Sequence, residues 1–171
     1  RVLLGWLLGW RGERRLAQLF GVLGEKDVAE VWRLTQQRTL MRRAELDAWN
    51  DAGLDAVVCP PHALPAMPLG SSGDLTLTLS YAFRYVMLNF PAGVVPVTRV
   101  RADECVRDNP RDLVERRAAA AESGATGLPV GVQVVARPWR EDVALAVMAA
   151  VEAAAQQGTD FPVTPVTPPA A

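Results

Sequence analysis

The sequence predicts an α/β fold that is incomplete by itself, on three observations. A long helical pattern runs directly into a short apolar strand, two further apolar strands follow at wide spacing, and a helix with acids in its first turn comes after the last of them. Helices alternating with buried strands are the pattern of a sheet carrying helices on its faces.

The elements follow in chain order. Val2 to Trp10 (VLLGWLLGW) is apolar, RGERR is basic, and LAQLFGVLG is apolar again. A spanning helix needs about 20 consecutive apolar residues, and Arg11, Glu13, Arg14 and Arg15 interrupt this one, so it does not cross a bilayer. Trp6 and Trp10 beside a cluster of arginines match a helix lying in the membrane interface, and a core helix would read much the same way. From Glu25 to Asp51 one amphipathic helix carries Val28, Val31, Trp32, Leu40, Met41, Ala44 and Trp49, with Gly53 where a left-handed C-terminal cap belongs. Leu54 to Cys59 is an apolar run stopped by Pro60 and Pro61, expected to be a strand covered on both faces. Pro60 to Gly73, rich in proline and ending in GSSG, is a loop.

Leu75 to Leu88 is apolar and helical from Tyr81 onward. Phe90 to Val100 is a strand whose Pro91 and Pro96 must avoid donating positions in the ladder. Arg101 to Thr126 is a charged insertion with a helical centre from Arg111 to Glu122, and Gly127 to Ala136 is another buried strand. Glu141 to Gln156 is a helix with its apolar face through Val143, Val147 and Val151. The Pro/Thr-rich tail from Gly158 is expected to fray.

Composition excludes several classes. A chain of 171 residues that is 50% hydrophobic and 22% charged is globular material, neither disordered nor a disulfide scaffold. Its 18 basic and 19 acidic residues leave a net charge of -1, too little positive charge to grip nucleic acid. Two cysteines, Cys59 and Cys105, have no zinc-ligand spacing, so no metal and no cofactor is expected. Cys59 reads as a small hydrophobe and Cys105 as an exposed thiol. The opening at Arg1, inside an apolar run, is read as residues missing upstream.

The residues offer little chemistry of their own. The one lysine, Lys26, lies in GEKDVAE between two acids at a helix start, where it stays solvated and charged. The one histidine, His62 in CPPHALP, has no spacing that joins it to Asp55 and a serine. Gly70 to Gly73 reads as a turn. No catalytic residue is assigned.

Three stretches in fixed order, LDAVVCPP, NFPAGVVPVTRV and GLPVGVQVVARPWREDVALAVMAAVE, resemble the C-terminal part of the amidase-signature family. The stretches LAQLFGVLGEKDVAEVWRL and SYAFRYVMLNFPAGVVPVT are similar to its membrane-associated branch, the fatty-acid amide hydrolases. The likeness runs from about Leu16 to Glu152. It implies a mixed sheet flanked by helices and a serine hydrolase that cleaves long-chain acyl amides with a Ser-Ser-Lys triad. In that chemistry a neutral lysine takes a proton through a bridging serine from the nucleophilic serine. All three residues lie upstream of the matching stretch, so the chain is expected to be inactive alone.

The resemblance also implies binding roles. Among the implied substrate-binding residues, Thr76, Leu79 and Phe83 correspond to the lining of the acyl channel and Leu19, Phe20 and Leu23 to the region between that channel and the membrane, and the family's large indole in the charged insertion is replaced near Val114. Leu3, Leu4, Trp6, Leu7, Leu8 and Trp10 correspond to a membrane cap. The division implied is a cap-like segment at 1–23, amidase-signature material at 24–157 and a flexible tail at 158–171. The expected partners are a lipid amide in the complete protein and an intracellular membrane surface, held monotopically; a homodimer is left open. Two alternatives stay open beside this one: a catalytically silent lipid-binding module, and part of a non-lipid amidase.

Overall fold

The computed structural model describes residues 2–163, except for the side chains of Val2 and Leu4. Six α-helices and three strands are described: α1 (Val2–Trp10), α2 (Arg14–Val22), α3 (Val28–Asp51), β1 (Ala56–Cys59), α4 (Ser80–Leu88), β2 (Ala92–Arg99), α5 (Leu113–Glu122), β3 (Pro129–Ala136) and α6 (Glu141–Ala155). A short 3-10 helix, Thr76–Leu79, leads into α4.

Three helices end in the same way. Glu13 N–H donates to Leu8 and Gly12 N–H to Gly9 after α1; Leu54 and Gly53 repeat this on Trp49 and Asn50 after α3; Phe90 and Asn89 repeat it on Tyr85 and Val86 after α4. The residue that reverses the chain has positive φ each time: Gly12 at 84°, Gly53 at 62° and Asn89 at 55°. This Schellman arrangement satisfies carbonyls that the helix leaves without partners. Its accompanying apolar contact is visible after α4, where Phe90 packs on Tyr85 with ring centroids 6.1 Å apart. At its other end α3 starts at Val28, because the Asp27 side chain accepts from Glu30 N–H at 2.7 Å and caps it there.

The sheet has the order β1-β3-β2, and both pairings are antiparallel. Pro96 falls at an irregularity in the β2 ladder between Pro96 and Thr98, which is how a proline fits inside a strand. Helix α6 covers one face, on which Gly93 lies beneath Met148. The opposite face carries the main core: Trp49 from α3, Tyr85 and Leu88 from α4, Phe90, and Val135 from β3. Trp49 meets Phe90 edge-on at 5.3 Å, an arrangement that gives more than area burial alone. A second cluster joins Leu64 and Leu75 of the loop region to Ala118 and Ala121 of α5.

One expectation needs correction. β1 was expected to be covered on both faces, yet Val58 is 51% exposed. β1 is an edge strand, and Val58, paired with Val134, lies on the α6 face at the margin of that helix's cover.

Candidate functional site

Helices α1 and α2 pack on each other as a hairpin. Gly5 and Gly9 lie one turn apart on α1; a Cβ on Gly5 would stand 3.5 Å from the Ala17 carbonyl oxygen, and one on Gly9 would stand 3.9 Å from Ala17 Cβ. The absence of side chains there lets the two backbones approach. Leu8 is half-buried on the same side. The opposite face, at spacings of three and four residues, holds Leu3, Trp6, Leu7 and Trp10, which are 71, 67, 41 and 79% exposed. The Leu4 side chain lies outside the described residues. Among the described residues no helix is long and apolar enough to cross a membrane.

Leu19 and Phe20 are half-buried on α2, and Leu23 is exposed just past its end. Phe20 and Leu23 line a cavity of about 560 Å³ together with Gly5, Ala17 and Lys26. The hairpin is held to α5 by charge. Glu13 accepts from Leu113 N–H at 2.6 Å, the first turn of α5, and from Arg116 at 2.8 Å. Arg15 donates to Glu115 at 3.0 Å and lies 3.6 Å from Asp112. Glu115 is held below the usual glutamate range, first by the Arg111 N–H that it accepts and then by Arg15. Nothing in the local sequence announces this clasp, since its partners are about a hundred residues apart.

Thr76, Leu79 and Phe83 share one side of the 3-10 turn and α4 by their spacing of three and four. Thr76 and Leu79 are half-buried, and Phe83 is 44% exposed. The Thr76 hydroxyl is engaged in its own turn, donating toward the Ser72 and Gly73 carbonyls at 3.1 Å each. The cavity lined by Phe20 and Leu23 takes in none of these three residues. Instead Arg15 of α2 meets Leu77, Thr78 and Tyr81 around a second cavity of about 350 Å³, closed on the α5 side by Val114 and Ala118. Val114 is buried, so the position implied to replace a larger indole does face this cavity.

Lys26 is exposed and donates to the Val22 and Gly24 carbonyls at 3.0 and 3.4 Å. His62 fastens the proline-rich loop: Nδ1 lies 3.0 Å from both the N–H and the carbonyl of Leu64, and Nε2 lies 3.0 Å from the Thr78 hydroxyl. Asp55 faces Arg137 at 3.8 Å. Ser71 donates to Pro68 O at 2.7 Å, and Gly70 has φ 85°, so GSSG is a turn. Cys59 is half-buried beside Gln133, and Cys105 is half-buried against Thr126 at 3.0 Å, less exposed than its sequence setting implied. Among the described residues no three His, Cys, Asp or Glu side chains converge as metal ligands.

The amidase family model matches residues 11–145. The chain belongs to the amidase family. It is 36% identical over 143 residues to fatty-acid amide hydrolase 1 of Sus scrofa, covering 81% of this chain and 24% of that protein. It is 38% identical over 105 residues to fatty acid amide hydrolase 1 of Caenorhabditis elegans, covering 59% of this chain and 18% of that protein. The chain thus spans about a quarter or less of the length of these curated relatives.

Within this member of the amidase family the expected binding residues fall into two groups on separate elements, one on and just past α2 and one on the 3-10 turn and α4, with the Arg15 cavity touching both α2 and α4. The chain brings none of its titratable side chains into a nucleophile and base pair among the hydrogen bonds of the described residues. The histidine contact to a threonine hydroxyl comes nearest in form, but that hydroxyl also donates to Leu75 O and is buried. Buried hydroxyls donating to backbone are structural.

Proposed function

We propose that this amidase works within a longer polypeptide as a serine hydrolase, cleaving the amide bond of long-chain acyl amides at an intracellular membrane surface. In this reading α1 and α2 form the membrane cap, and Leu19, Phe20, Leu23, Thr76, Leu79 and Phe83 contribute to the acyl channel. The Ser-Ser-Lys triad lies outside this chain. The carrying observation is the α1 face: Leu3, Trp6, Leu7 and Trp10 are exposed together on a helix whose other side is closed against α2. Apolar patches of that kind mark contact surfaces, and indoles favour headgroup depth. A channel wall gains about 0.8 kcal/mol for each acyl CH₂ it takes from water.

Lys26 supports the second half of the reading. A triad base must be held neutral by burial, whereas this ammonium is exposed and bound to carbonyls. Two measurements test the proposal. The purified chain treated with a fluorophosphonate serine probe should remain unlabelled; stoichiometric modification of any serine would overturn the assignment of the chemistry to other polypeptide. In liposome flotation, Trp6→Ala/Trp10→Ala should partition at least about tenfold less than the wild type, since each buried indole is a major interfacial anchor. Equal flotation of the two would remove the cap.

A further inference from the structure

Among the described residues, the half-buried arginines obey a rule with one exception. Arg99 donates to Gly127 O at 2.9 Å, Arg107 to Glu122 at 2.8 Å and Arg137 to Leu54 O at 2.7 Å. Arg42, half-buried on α3, has a buried Nε with no hydrogen-bond partner among the described residues. A guanidinium N–H taken from water without an acceptor is costly, so a site that keeps one is built for an acceptor that comes from elsewhere.

Arg42 lines a cavity of about 240 Å³ with Asn89, Phe90, Pro91, Pro138, Trp139 and Glu141. Its rim holds a second anomaly. Arg137 to Arg140 form a turn closed by Arg140 N–H on Arg137 O at 3.0 Å, with proline second and tryptophan third. The third residue has φ 66°, a position that favours glycine. Trp139 holds it instead, with its side chain 86% exposed. A strained backbone carrying an exposed indole beside a guanidinium whose Nε has no partner joins two independent signs of an absent partner. Trp and Arg are also the residue types that dominate protein interfaces.

We propose that Arg42 and Trp139 form a notch that receives a carboxylate side chain of polypeptide packing against the start of α6, its apolar stem lying on the indole. The proposal rests on the reading of the chain as part of a longer polypeptide, and the length of the relatives supplies the occupant. Glu141 shares the cavity but stands in no ion pair with Arg42. It occupies the first turn of α6, where the helix dipole favours it. The planar guanidinium matches a carboxylate in a way that an ammonium does not.

The test uses the 171-residue chain and neither catalysis nor membranes, so its failure is separable from failure of the hydrolase reading. N-acetyl-glutamyl amide is titrated at constant ionic strength while the ¹⁵N signals of Arg42 Nε–H and the Trp139 indole are followed, with N-acetyl-glutaminyl amide and acetate as comparison arms. The expected result is a saturable shift of both signals with the glutamyl compound, weaker with acetate, which lacks the stem, and absent with the glutaminyl compound. Arg42→Gln, read on the indole, should bind at least about tenfold more weakly, and Arg42→Lys, which keeps charge and stem, about threefold more weakly. No shift, an equal shift with the glutaminyl compound, or an unchanged indole response in Arg42→Gln would overturn the proposal. A response seen only in Glu141→Gln would also overturn it, since Glu141 would then be the partner.

Discussion

Trp49 and Trp10 stand at opposite extremes of the molecule, one 3% exposed and the other 79% exposed. Each lies in the last turn of a helix that carries apolar residues at helical spacing, so the difference lies in what the chain sets against them. Trp49 has α4, Phe90 and the sheet packed around it and donates its indole N–H to Glu45 at 3.1 Å. Trp10 lies on a helix whose small-residue side is the one that α2 touches. The lesson is that the apolar stripe alone does not tell a buried face from an exposed one: on α3 itself Val28, Val31, Trp32, Leu40 and Met41 are exposed while Trp49 is buried. Gly5 and Gly9 close one side of α1 against α2, and the large side chains on the other side stay exposed.

This contrast can be broken at its strongest point first. Trp49→Ala removes the indole that joins α3 to the sheet and should cost about 3–5 kcal/mol, read as a lower midpoint in urea unfolding. A loss no larger than that of an exposed tryptophan would show that the two regions are not energetically distinct. Next comes Gly131 in the central strand, where a Cβ would stand 2.8 Å from Val95 O and 2.9 Å from Val94 Cγ1. Both obstacles belong to the neighbouring strand and cannot swing away freely, so Gly131→Ala should destabilise by about 1–3 kcal/mol.

The smallest effect sharpens the other side of the comparison, the clasp that holds the hairpin. Glu115 has a lowered pKa in the folded chain, so its contribution is complete above the ordinary glutamate value of about 4.3 and is lost as pH falls through the lowered value. Followed by carboxyl ¹³C shifts, Glu115 should titrate below an ordinary glutamate. Arg15→Gln should raise its midpoint only partway, because the Arg111 N–H is still there to donate. Return to the full ordinary value in Arg15→Gln would make the ion pair the main cause instead of the backbone. Exchange of hairpin amides should quicken over the same acid range.

Much of the fold was legible because local chemistry decides it. Gly53 marked the end of α3, and the acids at Glu141 and Asp142 marked the start of α6, within the positions now seen. The places of Pro91, just before β2, and of Pro96, at its irregularity, also read correctly, since a proline without an N–H has few places to sit. What escaped depends on residues far apart in sequence. The break between α1 and α2 at Gly12 needed the backbone geometry, the exposure of Val58 needed knowledge of which strands are edges, and the Glu13 and Arg15 clasp needed α5 in place. The proposed binding residues could be named only through family resemblance, because Leu, Phe and Thr at helical spacing are equally the residues of ordinary packing. The Arg42 notch had no sequence signal at all: one arginine among seventeen differs from the rest only in what surrounds it.

The seating of Met148 over Gly93 carries a consequence for ageing of the molecule. A Cβ at Gly93 would stand 2.4 Å from the Met148 sulfur, so the thioether rests almost on the strand backbone and fixes the height of α6 above the sheet. Peroxide conversion of that sulfur to the sulfoxide adds an oxygen and a strong dipole at the point of closest approach. The helix would have to rise to admit it, so oxidative wear at one half-buried atom would wedge apart the layer that the strands depend on.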